Sequence, residues 1–91
     1  MKHSETQIGR QLVEKLELPK DLLLGAMNII ITGKWEAIIE NNKSIKEYTD
    51  NVIKLQGKNC RVKVTGSNLK ISCYNKEDME IKGIINEIKF Y

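Results

Sequence analysis

Ninety-one residues leave room for one small domain, which buries about two-thirds or less of its unfolded surface, and exclude a second one. Hydrophobic residues make up 41% of the chain and charged residues 30%, with one proline, a balance that excludes a disordered or low-complexity protein. The net charge of +3 comes from 15 basic and 12 acidic residues mixed along the sequence, which argues against a dedicated polyanion binder with clustered charge.

The first pattern in the chain is helical. Ile8, Leu12 and Leu16 recur every four residues with Val13 alongside, and mostly polar residues fill the other positions from Glu5 to Glu17, which predicts an amphipathic helix. Pro19 clashes with the backbone before it and forces Leu18 out of the helical region. The expected organisation is therefore a helix and linker over residues 1–18, then a single domain over 19–91. The polar N-terminus carries no secretory pattern, and the apolar stretches DLLLGAM and NIIITG fall short of the roughly 20 residues a membrane helix needs. The expected compartment is the cytoplasm, where thiols stay reduced.

From Asn28 onward the period changes to two, and short apolar runs are punctuated by Gly, Asn and Asp. The pattern predicts strands over 28–32, 35–41, 44–48, 51–56, 60–65, 68–74 and 79–90, with turns at Gly33-Lys34, Asn41 to Lys43, Thr49-Asp50, Gly57 to Asn59, Gly66-Ser67 and Asn75 to Asp78. About seven short strands on short connections predict an all-β fold, a small antiparallel sandwich or barrel-like domain preceded by the amphipathic helix. No internal repeat stands out. In MEIKGIINEIKFY, Met79 and Ile81 share one parity while Ile84, Ile88 and Phe90 share the other, so a kink at Gly83 is expected to keep both sets inside.

The stretch CRVKVTGSNLKISC carries both cysteines. Taken as a hairpin turning at Gly66-Ser67, it pairs Val64 with Leu69, Val62 with Ile71, Lys63 with Lys70 and Cys60 with Cys73. Both thiols then lie inward among the aliphatic residues, where free cysteine packs as a small hydrophobe, with an adventitious or regulatory disulfide as the alternative. His3 is the one histidine, and no CxxC or HxxxH spacing accompanies it, so neither a metal site nor a Cys-His nucleophile is expected. No glycine-rich phosphate loop is visible, Glu77-Asp78 reads as turn capping, and no catalytic or cofactor-binding residues stand out. Facing lysines destabilise a sheet, so Arg61, Lys63 and Lys70 with Tyr74 beside them form the candidate partner-binding surface, unless a neighbouring acid such as Glu80 offsets them. Trp35 reads as a core or rim anchor, and Gly33, Gly66 and Gly83 as structural turn positions.

Several motifs in order carry a resemblance. Leu18-Pro19 with Asp21 precedes an apolar stretch, Gly33 closes a strand, and Glu40-Asn41 stands at a hairpin tip. A Tyr-x-Asp-x-x-Ile-x-Leu run follows at Tyr48, Asp50, Ile53 and Leu55, then Gly66, and a closing Gly-Ile-x-x-x-Ile pattern from Gly83, Ile84 and Ile88 to Phe90 or Tyr91. Over residues 16–91 this order resembles the YabP/YqfC family of bacterial sporulation proteins, whose chains begin with a more basic segment than the amphipathic one here. The resemblance implies a small all-β, non-enzymatic protein without cofactors, made in the mother cell during endospore formation and peripheral at the forespore surface. It implies an assembly or adaptor role in the spore envelope or coat, with a protein partner: a sporulation membrane protein, or the chain itself through strand edges. The alternative is an Sm-like or OB-type RNA-binding module, since IKGIINEI is similar to an Sm signature; mixed charge and few aromatics stand against nucleic acid as partner.

Overall fold

The computed structural model describes residues 24–75 and 77–91, apart from the side chains of Cys73 and Tyr74. The helix expected over 5–17, His3 and the boundary at residue 18 lie outside the described residues. Six strands follow: β1 (Asn28–Thr32), β2 (Glu36–Glu40), β3 (Ser44–Tyr48), β4 (Val52–Gln56), β5 (Arg61–Asn75) and β6 (Asp78–Phe90). They form one antiparallel sheet in the order β1-β2-β6-β5-β4-β3. The all-β expectation and the first four strands therefore stand, and two of the seven expected strands are one.

Gly66-Ser67 is not a turn. β5 runs through it as a single strand, and the hairpin closes at residues 75–78 instead. Val62 consequently faces Phe90, Lys63 faces Lys89, Val64 faces Ile88, and Lys70 faces Lys82. The expected rungs between Cys60 and Cys73 and between Lys63 and Lys70 do not exist. Cys73 lies opposite Glu80 on β6, while Cys60 precedes β5, accepts a hydrogen bond from Gly57 N at 2.8 Å, and packs half-buried against the core as a free thiol.

A short connection shows that the sheet is rolled. β2 and β3 are separated by three other strands, about 19 Å in a flat sheet. Yet residues 41–43 join them, a link that reaches about 14 Å at most. The sheet closes on itself in two layers, β1-β2 with the first part of β6 and the last part of β5, and β3-β4 with the first part of β5 and the last part of β6. Between them lies one core: Ala37 and Ile39, Ile53 and Leu55, Val62, Val64 and Leu69, and Met79, Ile81 and Ile85.

The long β5–β6 ribbon turns the corner where two glycines cross. A Cβ on Gly66 would collide with the carbonyl oxygen of Ile84, and one on Gly83 would lie 2.5 Å from that of Asn68. Gly83 has φ 141° and Asn68 φ 54°, backbone that favours Gly and tolerates Asn. Bulges around the crossing re-aim the side chains: β5 gives two residues, Asn68 and Leu69, against Gly83, and β6 gives Asn86 as an extra residue between Ile85 and Glu87. The expected kink at Gly83 is thus only part of the parity problem. Met79, Ile81 and Ile85 stay inside on one parity, and the change of face comes three residues later at Asn86. Ile88 is half-buried, whereas Ile84 and Phe90 remain exposed.

The two layers are equivalent halves of a structural repeat. Hairpin β1–β2 flanks β6 as hairpin β3–β4 flanks β5. At the corner, Gly83 N and Ile85 N donate to Trp35 O and Lys34 O at 3.2 and 2.7 Å. Gly66 N and Leu69 N donate to Asn51 O and Asp50 O at 3.0 and 2.8 Å. Each hairpin spans thirteen residues, 28–40 and 44–56. One extra residue falls in the turn of the first, at Gly33, and in a bulge of the second, at Lys46.

Candidate interaction faces

Alternation assigns each outer surface. In the β3-β4-β5-β6 layer, Ile45, Ile53, Leu55, Val62 and Val64 point inward, so Lys54, Lys63 and Lys89 point outward. They form one row with Glu47 at its end: Glu47 faces Lys54, Lys54 faces Lys63, and Lys63 faces Lys89. Glu47 reaches Lys54 Nζ at 3.4 Å, and Lys63 and Lys89 have no ion pair among the described residues. In the next row, Tyr91 N donates to Arg61 O at 3.1 Å, which extends the ladder past β6. The Tyr91 ring then lies 5.8 Å from Lys54 Nζ and 5.9 Å from Arg61 Cζ, between the two cations.

The opposite surface has another character. Ile30, Ile38 and Glu80 form the row equivalent to Glu47, Lys54 and Lys63. Ile30 is 50% exposed, at the sheet edge. Toward the tip of the β5–β6 hairpin lies a cleft of about 220 Å³ lined by Ile38, Glu40, Asn75, Asp78, Met79 and Glu80. A wider one of about 510 Å³ adjoins it, lined by Asn41, Asn75, Glu77 and Asp78. Toward the corner, Lys82 faces both Glu36 and Lys70, with Glu36 3.9 Å from its Nζ.

The β2–β3 link fastens this tip. Asn41, at φ 64°, donates its backbone N–H to Asp78 Oδ1 at 3.2 Å and its Nδ2 to Ala26 O at 2.8 Å. Asn42 N donates to Glu77 O at 2.7 Å, and Lys43 pairs with Glu77 at 2.7 Å. Asn42 is buried, and its side-chain amide has no partner among the described residues.

The structure divides the residues singled out in the sequence. Arg61 and Lys63 share the basic face, whereas Lys70 lies in the other layer. Tyr74 pairs with Met79 through its backbone, and its side chain lies outside the described residues. Lys54, Lys89 and Tyr91 were missed, because a hairpin at Gly66 sends β6 elsewhere. Glu80 does not offset the lysines of the basic face; it belongs to the opposite surface. Trp35 is 64% exposed at the corner, a rim position. Among the described residues no group of His, Cys, Asp or Glu could hold a metal ion, and no helix is long and apolar enough to cross a membrane.

The model of the YabP family matches residues 24–91, all six strands. The chain belongs to the YabP family. It is also similar to a Bacillus subtilis (strain 168) protein described as "Uncharacterized protein YqfC", 24% identical over 79 residues, which cover 87% of this chain and 85% of that protein. No solved structure matches. The family match begins where the described structure does and takes in the whole rolled sheet, Gly66 and Gly83 included.

Proposed function

We propose that this YabP-family chain is a non-enzymatic assembly or adaptor protein of endospore formation, acting in the mother cell by protein–protein contact as the spore envelope or coat is built. Family membership carries this reading. The surface supports it: two extended faces of different chemistry and an edge strand with exposed Ile30 and Ile31. Deleting the gene in a spore-forming host should block sporulation after engulfment or yield defective spores, scored as heat-resistant colony counts and by microscopy. Normal yields of resistant spores, in a strain without a paralogue, would overturn the reading.

One observation favours the RNA-binding alternative, the row of Lys54, Lys63 and Lys89 with Arg61 beside Tyr91. A stacking platform needs several rings, and Tyr91 is the described ring on that face. Mobility shift with mixed RNA separates the readings: a phosphate binder shifts it and loses affinity steeply as salt rises.

A further inference from the structure

The two outer faces lie on opposite sides of one thin core, so they point away from each other. At equivalent positions of the repeat they carry opposite or unlike groups, Lys54 against Ile38 and Lys63 against Glu80. We propose that copies of this chain stack head to tail, with the Lys54–Lys63–Lys89 face of one copy seated on the Ile30–Ile38–Glu80 face of the next. The inference names a partner for the assembly reading above and rests on that reading for its biological sense.

Three features argue for a second copy as the occupant. Lys63 and Lys89 have no ion pair among the described residues, although they stand side by side with Lys54, so an acidic surface laid over them removes a repulsion. The cleft beside Ile38 has the volume and chemistry for a lysine: Ile38 and Met79 for the stem, and Glu40, Asp78 and Glu80 for the ammonium. Ile30, half exposed and opposite Ile38 on the edge strand, supplies further apolar area on the same face. The contact is heterologous, since the basic face of one copy meets the opposite face of the next and a pair of copies still has one face of each kind free. Stacking therefore does not close at a dimer, which suits a protein that builds a layer.

The test is sedimentation velocity of the full chain over a range of concentrations. The expected result is a mass that grows past the dimer at low salt and falls back as ionic strength rises through about 0.15 M. The double variants K63E/K89E and E40K/E80K should each associate at least about tenfold more weakly. Mixed at equal concentration they should associate again, because one then presents two acidic faces and the other two basic ones. Far-UV circular dichroism confirms that each variant is folded, and K63Q/K89Q, which removes charge without reversing it, serves if either is not. A wild-type chain that stays monomeric at low salt, a closed dimer, or variants that do not recover on mixing overturns the proposal. So does a monomer whose basic face instead binds the mixed RNA or an acidic polypeptide. Loss of stacking alongside a sporulation block on gene deletion leaves the assembly reading standing; stacking by a protein whose gene is dispensable does the reverse.

Discussion

Hairpin β1–β2 and hairpin β3–β4 occupy equivalent places in the fold with almost no shared sequence. With the extra residues Gly33 and Lys46 set aside, twelve positions align, and two are identical: Ile29 with Ile45 and Thr32 with Thr49. What the halves share is the inward set, Ile29, Ala37 and Ile39 matching Ile45, Ile53 and Leu55, and the bonding of each turn to a corner of the ribbon. Outward positions differ apart from the threonines that open each turn: Ile30 for Glu47, Ile38 for Lys54 and Glu80 for Lys63. Shape is held by a few buried and corner positions, which leaves the two outer faces free to carry different chemistry.

The corner should be the most sensitive part of the comparison. Gly66→Ala places a methyl group on the Ile84 carbonyl, and Gly83→Ala adds one against the Asn68 backbone at a φ of 141°. Each is expected to cost about 4 kcal/mol or more, a large share of the stability of a domain this small, seen as loss of the cooperative thermal transition. Gly57→Ala is the contrasting variant, because its nearest atoms, Met27 Cε at 3.1 Å and Cys60 Sγ at 3.3 Å, belong to side chains that can move. A Gly66→Ala protein as stable as Gly57→Ala would show that the two strands do not cross so closely.

Next in size are the matched core positions. Ile39 and Leu55 are both fully buried at equivalent places, so Ile39→Ala and Leu55→Ala should each cost about 3 kcal/mol. Denaturant unfolding should stay a single transition in both, since one core lies between the layers. Two transitions in either variant would mean that the halves fold separately.

The same parity argument explains what was legible in the sequence and what was not. Strands 28–32 and 44–48 could be placed to the residue, because alternation and turn residues agree there. Around Gly66 the apolar residues change parity, from Val62 and Val64 to Leu69 and Ile71, as they do beyond Gly83. A two-residue hairpin and a bulged continuous strand both produce that change, and the Gly-Ser-Asn sequence suits either. Only the long-range pairing of β5 with β6 decides between them. The basic face depended on that choice, so Arg61 and Lys63 were found and Lys54, Lys89 and Tyr91 were not.

A smaller difference between the halves lies at the inward position near each turn. The bulge at Lys46 turns Tyr48 inward, opposite Ile53, where Ile31 stands opposite Ala37 in the other half. The Ile71 N–H donates to Tyr48 Oη at 2.9 Å and so ties β3 to the far layer, a bond Ile31 cannot make. Tyr48→Phe should lose about 0.5–1 kcal/mol, since the site is exposed and water can replace the hydroxyl. Hydrogen exchange at Ile71 should rise with it. Unchanged protection would mean that the tie contributes nothing.

The smallest expected effect has the most informative sign. Lys63 stands between Lys54 and Lys89, and like charges on adjacent strands oppose folding. Lys63→Glu should therefore raise the stability of the monomer by about 0.5 kcal/mol at low salt, with the gain fading as salt screens the row. The equivalent reversal in the other half, Glu80→Lys, removes an acid flanked by Ile38 and has no such repulsion to relieve. If Lys63→Glu stabilises the isolated chain while weakening contact between copies, the lysine row is held at a cost to folding because the assembled state uses it. If it destabilises the monomer instead, the row is already compensated within the chain, and its charge is not waiting for a partner.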